Sequence, residues 1–90
     1  MPLSGAEQEQ IQQAINFASE QDRRSMKLEA EEAIFETNAI SNRRLLSSDE
    51  SKAFQIAIEM LVRLEATEHG KGWLFRARRR VQLTHMYMGG

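Results

Sequence analysis

Apolar side chains recur at helical spacings of three and four along most of this chain, and no run of alternating β-branched residues competes with them. Ile11, Ile15 and Ala18 share one stripe, with Ala14 at its edge. The polar run SEQDRRS (19–25) follows and puts Asp22 on that stripe. The pattern resumes as Met26, Ala30, Ala33, Ile34, Thr37 and Ile40, rotated against the first set. A helix crossing a wet gap and a chain broken near Ser25 both fit this reading. Glu20 and Arg24, four residues apart, favour continuity by a few tenths of a kcal/mol. The spacing therefore predicts one long, bent helix over 5–45. A second stripe of Leu28, Phe35, Ala39 and Leu46 falls on its opposite side. Two apolar sides imply two neighbours, so these four residues are the expected oligomer interface.

Punctuation supports the same segmentation. The only proline is Pro2, and no glycine lies between Gly5 and Gly70. Ser4 with Glu7, and Ser47 with Glu50, fit the capping box in which each side chain satisfies an orphan amide. Asp49 and Glu50 suit the positive end of a helix dipole. A central helix is expected over 49–69, apolar around roughly two-thirds of its circumference. Lys52, Gln55, Glu59 and Arg63 form its narrow polar wedge. Gly70 stands where a C′ glycine belongs, and Lys71 and Gly72 complete a tight turn. A third helix over 73–88 carries one stripe of Trp73, Leu74, Ala77, Val81, Thr84 and Met88. The expected fold class is all-α: a long N-terminal helix followed by an antiparallel helical hairpin, bundle-like and completed by oligomerisation, in one domain spanning 1–90.

Charge changes the picture. Residues 1–68 hold 13 acidic and 7 basic side chains, a net of −6, whereas residues 69–90 hold five basic and no acidic ones, a net of +5. Arg76, Arg78, Arg79 and Arg80 fan over the side of the third helix that faces away from the Trp73 stripe. Phe75, Leu83 and Met86 lie among them. Arginine mixed with aromatics and methionine is the composition of interface cores. Trp73, Phe75, Arg76, Arg79, Arg80, Leu83 and Met86 are the expected partner-binding residues. A solvated arginine face with scattered apolar residues is the plain alternative.

Three partners suit such a face. Nucleic acid would meet Arg76, Arg78, Arg79 and Arg80 through phosphates. Against this, the first turn of the third helix is spent on Trp73, Leu74 and Phe75, and the whole-chain pI is near 6.1. A membrane surface would need the Trp73 stripe that the central helix already uses. Protein is preferred: the basic helix of one copy docking on the acidic helix of another in a homodimer, or the same face gripping an acidic target.

Candidate chemistry adds little. There is no cysteine, and hence no disulfide or thiolate nucleophile. Glu65 and His69 stand four apart, but no second helix repeats the pair as a carboxylate metal site would require. A histidine at a helix C-terminus is better explained by the dipole, and His85 by packing. HGKGW lacks the order of a phosphate loop, and the glutamates at 29, 31, 32 and 36 have no apolar pocket to raise their pKa. Neither cofactor nor metal is expected. With no secretory signal and no apolar run near the roughly 20 residues of a membrane span, a cytoplasmic protein is the expectation. The reading is a non-enzymatic interaction module: an adaptor, inhibitor or small chaperone. A small nucleic-acid-binding regulator is the alternative.

Overall fold

The computed structural model describes residues 3–69. Three helices make up this part of the chain: α1 (Gly5–Phe17), α2 (Glu20–Ser41) and α3 (Ser48–His69). The chain is all-helical, with no strand among the described residues.

The long first helix is in fact two. Ala18 and Ser19 are both extended, with ψ near 142° and 168°, which ends α1 and starts α2 afresh. Ser19 is the reason. Its hydroxyl accepts from the Asp22 amide (3.1 Å) and its carbonyl from the Arg23 amide (2.9 Å), so it acts as an N-cap. The Arg23 Nε then reaches back to donate to the Ile15 carbonyl (3.0 Å), which the Ala18 amide also meets (3.2 Å), and so ties the end of α1 to the start of α2. Two extended residues reset the helical phase, which explains the rotation between the Ile11 and Met26 stripes. The break therefore falls at 18–19 and not near Ser25, and the Glu20–Arg24 pair (3.1 Å) lies inside α2.

Both expected capping boxes form. Ser4 and Glu7 exchange bonds of 3.1 and 3.2 Å, and Ser47 and Glu50 exchange bonds of 2.9 and 3.1 Å. α2 stops at Ser41, earlier than the expected 45, and residues 42–47 carry the chain to α3. Arg44 fastens this connection by donating twice to the Glu50 carboxylate, at 2.8 Å each.

α3 packs against both other helices. Ala30 and Ile34 of α2 meet Ala57, and Lys27 pairs with Glu65 at 3.9 Å, so α2 and α3 run antiparallel. Ile11 and Ile15 of α1 meet Leu64, with Leu3, Met26 and Met60 around them. Val62 is fully buried, and the described apolar side chains packed with it, Ile58 and Leu61, belong to its own helix.

The polar wedge of α3 lies against α1. Glu59 and Arg63 do not face water. Glu59 is buried, Arg63 is largely covered, and their charged groups lie 3.8 Å apart. α1 explains this, because the side it turns to α3 carries glutamines as well as isoleucines. Arg63 donates to the side-chain oxygens of Gln12 (3.1 Å) and Gln8 (3.3 Å), and Gln12 donates onward to Thr67 (3.3 Å). At the other end of this seam Lys52 pairs with Glu7 at 2.7 Å, so α1 runs parallel to α3. Conversely, Ala53 and Ile56 of the broad apolar arc are exposed.

Two outcomes follow from these contacts. Arg63→Ala removes the donor to Gln8 and Gln12 and the cation beside the buried Glu59, and should lower stability by about 2 kcal/mol in urea denaturation. Glu7 is held at a pKa of about 2, chiefly by Lys52, and Glu50 at about 2, chiefly by Arg44, against an ordinary 4.5. Depressed carboxylates stabilise the fold above their unfolded pKa and lose that contribution as pH falls through the folded one. The melting temperature should therefore drop between pH 4.5 and 2, and Glu7→Gln with Glu50→Gln should flatten that drop.

Candidate partner-binding face

α2 presents apolar side chains on the side it turns away from α3. Ala30 and Ile34 point into the core; Leu28 and Phe35, about half a turn round the helix, are 61% and 64% exposed. Ala39 continues the same line and is also exposed. Among the described residues α3 covers the Ala30 and Ile34 side of α2 and α1 meets Met26 near its start, which leaves the Leu28 and Phe35 side exposed.

Carboxylates rim this stripe. A shallow groove of about 310 Å³ is lined by Leu28 and Phe35 together with Glu31, Glu32 and Glu36. Glu31 lies on one side of the apolar line, and Glu32 and Glu36 on the other. From Leu28 to Ser41 the helix carries no basic side chain. Just before this stretch, Arg24 and Lys27 are engaged with Glu20 and Glu65.

Of the four expected oligomer residues, the structure thus brings three together: Leu28, Phe35 and Ala39. Leu46 is not among them. It lies beyond the end of α2, half-buried, in a cleft beside Leu3, Glu7 and Lys52. The expected partner-binding residues Trp73, Phe75, Arg76, Arg79, Arg80, Leu83 and Met86, and Arg78 with them, lie outside the described residues. The expected helix over 73–88 falls there too.

Two further apolar side chains escaped the sequence reading. Phe17 is 89% and Leu45 93% exposed, at the end of α1 and in the connection after α2. Their signal was positional: each sits next to a helix terminus, where no neighbouring turn covers it.

The cations of a second cleft already have partners. This cleft, between the start of α2 and the end of α3, is lined by Glu20, Arg23, Arg24, Lys27 and Glu68. Arg23 in it serves the Ile15 carbonyl, Arg24 serves Glu20, and Lys27 serves Glu65. Among the described residues no group of three or more histidines or carboxylates is placed to hold a metal ion. No described helix is long and apolar enough to cross a membrane. No protein-family model matches the chain, and neither a curated protein nor a solved structure does.

The exposed stripe contributes little to the fold itself. Leu28→Ser and Phe35→Ser should each change unfolding free energy by no more than about 0.5 kcal/mol. Ile34→Ala, in the core of the same helix, should cost about 2–4 kcal/mol. Urea titrations of the three variants separate the two faces.

Proposed function

We propose that this chain is a non-catalytic protein-interaction module, of the adaptor, inhibitor or small-chaperone kind, whose helices form a bundle completed by self-association. The observation that carries the reading is the exposure of Leu28 and Phe35 on a helix whose other face is already buried. Large apolar side chains aligned with Ala39 along one rimmed face mark a contact surface more often than solitary exposed ones do. The basic, apolar composition of 73–88 supplies a second such surface in the sequence.

Electrostatics supports a non-catalytic role. The carboxyls of Glu7 and Glu50 are held below their ordinary pKa, chiefly by Lys52 and Arg44 and further by the capping amides of Ser4 and Ser47. Carboxylates held so firmly ionised make poor proton donors near neutral pH. They serve the helix termini.

A pull-down from native cell extract with the full-length chain, run with and without nuclease, tests the reading. Recovery of protein partners should survive nuclease and fall with Phe35→Ser or Phe75→Ala. Recovery that vanishes with nuclease, falls steeply with salt and is lost on Arg→Ala changes at 76, 78, 79 and 80 would overturn it in favour of nucleic-acid binding.

A further inference from the structure

We infer that the Leu28–Phe35 face of α2 is the docking site for residues 73–88 of a second copy of this chain. The inference rests on the interaction-module reading and names the partner of this particular face. The face asks for two things at once: apolar side chains to cover Leu28, Phe35 and Ala39, and positive charge to meet Glu31, Glu32 and Glu36. Among the described residues those three glutamates take part in no ion pair.

A second α2 face would meet the first requirement and fail the second. Pairing two copies stripe to stripe sets glutamate against glutamate, and like charges brought together across an interface cost affinity. The occupant has to be cationic. Residues 69–90 are the acid-free part of this chain, with four arginines and a lysine, and Phe75, Leu83 and Met86 interleaved among the arginines. Charge and apolar content thus match the groove on both counts.

Occupancy from within the same chain is the poorer fit. The sequence predicts that the Gly70–Gly72 turn folds 73–88 back along α3, whereas Leu28 and Phe35 point away from α3. On that expectation the Trp73 stripe meets α3, and the Phe75 and Arg76 side is left to offer another molecule. Each copy is then donor and acceptor together, and two copies satisfy both contacts reciprocally about a two-fold axis.

Sedimentation velocity on the full-length chain tests this through charge exchange. Variant one carries Glu31→Lys, Glu32→Lys and Glu36→Lys; variant two carries Arg76→Glu, Arg79→Glu and Arg80→Glu. The unaltered chain should self-associate, more weakly as salt rises. Each variant alone should associate at least about tenfold more weakly. An equimolar mixture of the two should recover the original association, which unfolded variants could not do. A monomeric unaltered chain at its highest soluble concentration overturns the inference, as does a mixture that fails to recover. If the chain is monomeric yet captures a foreign protein in a Phe35-dependent, nuclease-resistant manner, self-docking falls while the interaction-module reading stands. Loss of both removes both.

Discussion

α2 carries apolar side chains on two opposite sides, and α3 covers one of them. That constraint organises most of what the molecule presents to its surroundings. Ala30 and Ile34 take the contact with Ala57, because small and β-branched side chains let two helices approach closely. Leu28 and Phe35, larger and on the far side, are left in water. Burying a side chain of that size is worth about 1.5–3 kcal/mol. A face left uncovered in this way is a standing reserve of binding free energy.

The α1–α3 seam works on a different principle. Two isoleucines anchor it and a guanidinium completes it, with Arg63 dividing its donors between Gln8 and Gln12 while Glu59 lies close by. Such a seam gives less free energy per area than an apolar one but favours one register, since the two guanidinium ends must meet the two glutamine oxygens. The glutamines therefore fix where α1 sits, and Ile11 and Ile15 hold it there.

How much of this was legible in the sequence depends on how local each signal is. The caps at Ser4 and Ser47 were read correctly, because a capping box is complete within four residues and needs no tertiary knowledge. The core stripe from Met26 to Ile40 was equally plain, as was the exposed alignment of Leu28, Phe35 and Ala39. Ser19 was passed over although Ser19 and Asp22 have cap spacing; an Asp–Arg–Arg run invites reading as a solvated helix, and nothing local reveals that Arg23 serves the Ile15 carbonyl. The partners of α3's polar wedge were not legible, for a deeper reason. Lys52, Glu59 and Arg63 look like a water-facing edge until α1 arrives with glutamines and a glutamate to meet them, and polarity says that a group needs partners without saying whether those partners are water.

The elbow at Ala18–Ser19 has a mechanical meaning as well. Two residues join α1 to α2, and the backbone there is extended, so the peptide chain alone would let the first helix swing. Arg23 latches the joint by bonding to the last turn of α1. The angle between the two helices thus has a side-chain brace of its own beside the α1–α3 seam, and a single substitution at that arginine would loosen the bracket while leaving the core contacts in place.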